Sequence, residues 1–168
     1  ERACSNAKVL AEFLNTYPDI TVNYPGLACS PWHDVADKVL ANGYGAILTI
    51  RVGSKERAFS VINNLSIPKI VSNIGDTKTL IIHPESTLNA HSTEKEKEDA
   101  GVFDDLIRIS VGIEDIEDLI EDTKQGHPHE QNETRCFKSV GMGLFDVRTA
   151  QLIYEKALEK GIGQKLNF

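Results

Sequence analysis

The sequence predicts an α/β fold, in the form of a two-layer α+β sandwich over residues 1–125. Three observations lead there. Segments with apolar residues at helical spacing alternate with short runs rich in β-branched residues. Proline and glycine fall between the two kinds of segment, where a chain reverses. The length of 168 residues is enough for a core without disulfides or metals, since about 150 residues suffice for one.

The elements follow in order. In ERACSNAKVLAEFL, Ala3, Ala7, Leu10, Ala11 and Leu14 mark one helical face, and Pro18 ends the helix. ITVNYPGL reads as a strand running into a Pro-Gly turn. HDVADKVLANGYG reads as a second short helix closed by Gly43, and GAILTIRVG as a strand apolar enough to be central. In SKERAFSVINNL, Ser54 supplies the N-cap, and Ala58, Val61, Ile62 and Leu65 form one face. TKTLIIHP is a strand stopped by Pro84, and STEKEKEDAG is an amphipathic segment whose charges form a solvated helix face. DLIRISVGIED supplies another strand, and EDIEDLIEDTKQG an acid-rich helix closed by Gly126. HPHEQNETR carries no periodic apolar residue, which sets a linker at residues 126–133. A strand, RCFKSVG, and a helix, DVRTAQLIYEKALEKG, occupy residues 134–168. Alone they cannot form a core and must dock on something else.

Composition narrows the function. Against 25 Asp+Glu stand 18 Lys+Arg, a net charge of −7, which disfavours nucleic acid and anionic lipid as partners and favours a small dissolved substrate. No apolar run approaches the ~20 residues of a membrane span. Cys4, Cys29 and Cys136 form no CxxC pair, so neither a disulfide framework nor a zinc ribbon is expected, and a reducing cytoplasm fits. The chain opens directly on a helical pattern, without an initiator Met or a signal peptide, and reads as the tail of something longer.

One residue breaks the pattern. In DLIRISVGIED, Leu106, Ile107, Ile109, Val111 and Ile113 form an apolar run with Arg108 in its middle. Arginine is almost never fully buried without a partner. Strand alternation lets Arg108 point to solvent or pair with Asp104 or Asp105; alternatively its planar fork takes a ligand carboxylate bidentately. Residue pattern alone leaves both open.

The stretches ERACSNAKVLAEFL, VNYPGL, SNIGDTKTLIIHPEST and AGVFDDLIRISVGIEDIEDLIED, in that order, resemble the C-terminal domain of the Cys/Met-metabolism enzymes that depend on pyridoxal phosphate (PLP). Within them the O-acetylhomoserine sulfhydrylase branch is most similar. The resemblance covers residues 1–125 and implies the small C-terminal domain of a fold-type I PLP enzyme, a mixed sheet with helices on one face. It implies that Arg108 holds the α-carboxylate of an amino-acid substrate and that Asn73, in the NIGD loop, assists there, with Gly75 permitting the turn. The residues themselves equally allow Asn73 to be a turn residue capping its own backbone. The implied chemistry is replacement of the γ-substituent of O-acetylhomoserine or a similar amino acid, with PLP as electron sink. Arg108 contributes by orienting the substrate.

The implied partners are the substrate, an N-terminal PLP-binding domain and further copies of the chain. None of the lysines, such as Lys38, Lys78 or Lys138, sits in the family's Schiff-base motif, so the chain is catalytically incomplete alone and PLP is held mainly by a preceding domain. Two departures touch substrate choice. Glu85 and STLNAH follow HP, with Asn89 where the branch has His and His91 two positions later, and Gly53-Ser54 replaces Gly-Gly.

ETRCFKSVGMGLFDVRTAQLIYEKALEKGIG resembles the closing segment of ornithine cyclodeaminase and μ-crystallin, which places Ser139, Val140 and Gly141 toward a dinucleotide. The glycine-rich phosphate loop that NAD requires is missing from that segment, so NAD binding is not expected. Val147, Ala150, Leu152, Ile153 and Ala157 read as packing residues. His127 and His129 read as a solvated loop, not a metal site; His33 and His83 read as ordinary hydrogen-bonded residues, and Cys136 as packed. The leading function is therefore the C-terminal part of a transsulfuration-type enzyme. Its alternatives are a fragment of an NAD-dependent ornithine cyclodeaminase-type lyase and a non-catalytic dimerisation domain.

Overall fold

The computed structural model describes residues 1–125 and 143–161, with side chains of the last helix from residue 150 onward except 158. The chain divides into two units, Glu1–Glu133 and Thr134–Phe168. The expected linker, Gly126, the His127–His129 stretch, and the RCFKSVG strand with Cys136, Ser139, Val140 and Gly141 lie outside the described residues.

In the first unit the order is α1 (Arg2–Leu14), β1 (Thr21–Asn23), α2 (His33–Val39), β2 (Ile47–Arg51), α3 (Lys55–Asn64), β3 (Lys69–Ile70), β4 (Leu80–Ile82), α4 (Glu94–Asp99), β5 (Leu106–Ser110) and α5 (Ile116–Gln125). This is the mixed α/β architecture the sequence predicts. The strands form one sheet in the order β1-β2-β5-β4-β3, antiparallel except for the parallel β3–β4 edge.

Strand periodicity sorts the side chains. Leu48 faces Ile109 and Ile50 faces Ile107 across β2–β5, and Ile81 faces Ile109 across β4–β5. All five are buried, as are Ala7, Leu10, Ala11 and Leu14 of α1, Ala58 and Ile62 of α3, and Leu119 of α5, in one cluster. Burying a Leu or Ile of this kind contributes about 1.5–3 kcal/mol. The helices thus cover one sheet face, and the alternate residues, Thr49, Arg51, Leu106 and Arg108, lie on the other.

Polar ties set the ends of the elements. Ser54 caps α3 by accepting from Arg57 N–H at 3.2 Å. Thr93 and Glu96 form a reciprocal capping box on α4. Buried Asn6 of α1 donates to the Gly112 and Glu114 carbonyls at 3.1 and 2.9 Å, and Glu114 accepts from Thr79 N–H and Oγ. A Cβ on Gly112 would strike the Thr77–Lys78 backbone, so only glycine admits that approach. Buried Asp122 of α5 accepts from the Ser66 and Ile67 amides, tying α5 to the loop before β3.

Some expectations need correction. Gly43 does not close α2: the helix stops at Val39 because Leu40 turns extended (φ −107°, ψ 104°), and Gly43, at φ +110°, serves the following turn. The strand written as ITVNYPGL shrinks to three residues, and Tyr24 turns inward to donate from its hydroxyl to the Gly45 carbonyl at 2.9 Å. Ile113 is exposed because β5 ends at Ser110. Lys97, expected on a solvated face, is buried because Glu85 draws its ammonium inward at 2.7 Å, with exposed Glu94 meeting it at 2.9 Å from the solvent side. β3 was not expected at all; two residues leave no periodic signal.

In the second unit α6 spans Gly143–Lys160, three residues longer at its start than the sequence suggested. Ala150, Leu152 and Ile153, expected to pack, are exposed among the described residues, and only Ala157 is half-buried. Leu152, Ile153 and Tyr154 are consecutive, so they spread over most of the helix circumference and cannot share one stripe.

Candidate functional site

The sheet face turned away from the helices floors a cavity of about 390 Å³. β1 supplies Thr21 and Asn23, β2 supplies Thr49 and Arg51, and β5 supplies Leu106 and Arg108; Pro84, Leu88 and Asn89, with Ala100–Phe103, contribute walls. Two arginines line it and no acid does, in a chain whose net charge is −7. A second hollow of about 410 Å³ lies against the apolar core near α1 and α3. Its arginine, Arg57, is already paired with Asp19.

Arg108 sits mid-strand, opposite Thr49 on one side and Ile82 on the other. Neither Asp104 nor Asp105 takes its charge. Its Nη2 instead donates to the Ser72 carbonyl at 2.6 Å and the Asn73 carbonyl at 3.3 Å. Its Nε is buried with no hydrogen-bond partner. Burial lowers its pKa from the ordinary arginine value, yet a guanidinium stays charged at neutral pH. A buried donor on a cation costs free energy until an acceptor meets it.

The NIGD loop is held by two residues of the same strand, Arg108 at its middle and Ser110 at its end. Arg108 grips its carbonyls, and Ser110 Oγ accepts from Gly75 N–H at 3.1 Å. Gly75 adopts φ +79° while an added Cβ would meet open space, so backbone conformation alone demands glycine there. Asn73 is exposed, and it meets Arg108 through its backbone carbonyl.

Arg51 escaped the sequence reading. Its Nε donates to Asp105 Oδ1 at 2.8 Å, and its guanidinium carbon lies 4.0 Å from the centre of the Phe103 ring. Asp105 is itself held by Gly53 N–H at 3.1 Å; burial raises its pKa, but Arg51 and that amide outweigh burial and keep the carboxyl below its ordinary value. The signal was available: Leu48 and Ile50 claim the core face, which leaves Thr49 and Arg51 on Arg108's side.

An ion cluster braces the wall. Glu85 lies between Lys55 at 2.8 Å and Lys97 at 2.7 Å, and these two ammonium groups pull its pKa down to about 2. His83 is buried beside it, with Ser86 Oγ at 2.9 Å on one ring nitrogen and the Asp104 carbonyl at 2.7 Å on the other. His33 meets the Pro25 carbonyl at 2.8 Å. Both histidines have the hydrogen-bonded roles expected of them. No cluster able to hold a metal occurs among the described residues.

Comparison with known proteins places this geometry. A family model described as Cys/Met metabolism PLP-dependent enzyme matches residues 1–127. L-Methionine gamma-lyase of Fusobacterium nucleatum subsp. polymorphum is 43% identical over 128 residues, covering 75% of this chain and 32% of that protein. The homocysteine synthase of Schizosaccharomyces pombe is 42% identical over 127 residues, 74% of this chain and 30% of that protein. A solved structure of an O-acetylhomoserine (thiol)-lyase from Campylobacter jejuni, which contains N′-pyridoxyl-lysine-5′-monophosphate, superposes with a TM-score of 0.71 at 37% identity over 74% of this chain and 30% of that one. The chain thus spans about a third of the length of these relatives.

Proposed function

The chain belongs to the Cys/Met metabolism PLP-dependent enzymes, and from that premise we propose that residues 1–125 are the substrate-carboxylate domain of a cytoplasmic transsulfuration-type enzyme. Its reaction is γ-replacement on O-acetylhomoserine or a similar amino acid. The observation that supports this most is Arg108: a charged fork with an unpartnered buried Nε, lining a cavity that contains no acid.

The cavity residues do not fit the cofactor by themselves. No lysine lines the cavity to form a Schiff base, and no carboxylate lines it to pair with a pyridine nitrogen. What they fit is the acid end of the substrate. Arg108, prealigned by the Ser72 and Asn73 carbonyls, binds and orients the α-carboxylate; Leu106 and Val102 shed water around it. The cofactor and its lysine belong to the longer polypeptide that this reading requires.

The test is a titration of the chain with an α-amino acid, followed by amide NMR. Arg108→Met should weaken binding by about 30-fold or more, since truncating one partner of a buried hydrogen-bonded charge pair costs about 2 kcal/mol or more. Arg108→Lys should restore part of it. Equal binding by wild type and Arg108→Met would overturn the reading.

For residues 134–168 the proposal is a segment similar in sequence to the end of ornithine cyclodeaminase that holds no dinucleotide site. Fluorescence titration with NAD should give no saturable change.

A further inference from the structure

The hollow on the helix-covered side of the sheet has no part in the carboxylate reading. We infer that this groove, between α3 and the α1–α5 pair, binds a dissolved medium-chain monocarboxylate, with the alkyl tail against the sheet and the acid group at Lys124. The inference goes beyond the reading of Arg108 and does not depend on it.

Uneven helix packing makes the room. α1 packs against α5, whereas α3 makes its main contact with β5. Leu14 of α1 and Leu119 of α5 line one side of the gap, Val61 and Leu65 line the other, and Ile81 and Ile109 form the floor. The hollow measures about 410 Å³. An apolar cavity of about 150 Å³ is enough for a benzene ring, so an acid of about eight carbons fits.

The lining offers water little. Thr79 Oγ donates to Glu114 at 2.9 Å and accepts from Gly112 N–H at 3.0 Å, and the Thr123 hydroxyl donates to the Leu119 carbonyl at 2.7 Å. Their polar atoms are thus engaged within the protein, and a hydrocarbon tail gains by leaving solvent for such a surface.

Charge at the mouth selects the head group. Arg57 and Lys124 line the hollow and no carboxylate does, in a chain of net charge −7. Arg57 is committed to Asp19. Lys124 has looser company: its ammonium lies 3.9 Å from Glu121, beyond hydrogen-bond reach, and 5.5 Å from the centre of the Phe13 ring. An ammonium carries three donors, and neither neighbour takes one. A carboxylate at the mouth meets these donors while its tail covers the floor.

Methyl NMR of the 168-residue chain, titrated with octanoate, hexanoate and octanamide, tests this. Octanoate should give saturable shifts at the Ile81 and Ile109 methyls. Hexanoate, shorter by two methylenes, should bind about tenfold more weakly. Octanamide, of the same length without the charge, should bind about threefold more weakly, the yield of a half-exposed ion pair. Lys124→Gln should remove the difference between octanoate and octanamide. Ser60→Phe, at an exposed position that lines the hollow, should fill it and abolish the shifts while circular dichroism stays unchanged. If that variant does not fold, Lys124→Gln decides. The inference is overturned by the absence of saturable shifts, by equal affinity of octanoate and octanamide in the wild type, or by an unchanged preference in Lys124→Gln. Shifts at the Leu106 methyls in place of those at Ile109 would put the acid in the Arg108 cavity and overturn it as well.

Discussion

Arg108 stood out in the sequence because it violated its surroundings: an apolar strand tolerates a cation only for a reason. Arg51 did not, since a charged residue at the end of a strand is ordinary, and only the pairing with β5 brings it beside Arg108. Lys97 was equally hidden, because nothing local announces that Glu85 waits across a loop. Glu85 supports a pH prediction. Its pKa falls to about 2 from an ordinary 4.5, so its contribution to stability is present above pH 4.5 and is lost as pH falls through 2. Denaturant midpoints measured across that window should decline less steeply for Glu85→Gln than for wild type. Tyr24 behaves oppositely at the alkaline end. Burial raises its phenol to about 12, so its contribution is intact below pH 10 and is lost as pH rises through 12. Tyr24→Phe, which also forfeits the bond to Gly45, should flatten the alkaline limb and lower stability by about 1 kcal/mol.

Among the elements, those with a cap and a periodic face were legible, and those defined by pairing were not. Ser54 and the spacing of Ala58 and Ile62 announced α3. β3 is visible only through its parallel partner, Lys69 to Leu80 and Ile70 to Ile81. The joint of α1 with the exit from β5 rests on Asn6, whose amide serves two carbonyls. Asn6→Ala should cost about 2 kcal/mol, because two acceptors are left short of a donor; chemical denaturation reads it directly. Thr93→Ala removes one half of the α4 capping box and should cost about 1 kcal/mol, with increased amide exchange confined to residues 94–99.

At the scale of the molecule, alternation of period-3.6 and period-2 segments was enough to predict the fold class. The order of strands was not, since it depends on pairings between segments far apart in sequence. β5 lies between β2 and β4 although it is the last of the described strands to leave the ribosome. Native-state hydrogen exchange should therefore find the β2, β5 and β4 amides slowest and the β1 and β3 edges fastest, as only the inner strands are bonded on both sides. The insertion of β5 has a consequence for biosynthesis. The nascent sheet stays split in two until Leu106–Ser110 slots between its halves, and that same event delivers Arg108 to the floor of the cavity. A prematurely terminated product would consequently lack the strand that joins the two halves and the arginine that floors the hollow together, so a closed sheet itself certifies that translation passed this point.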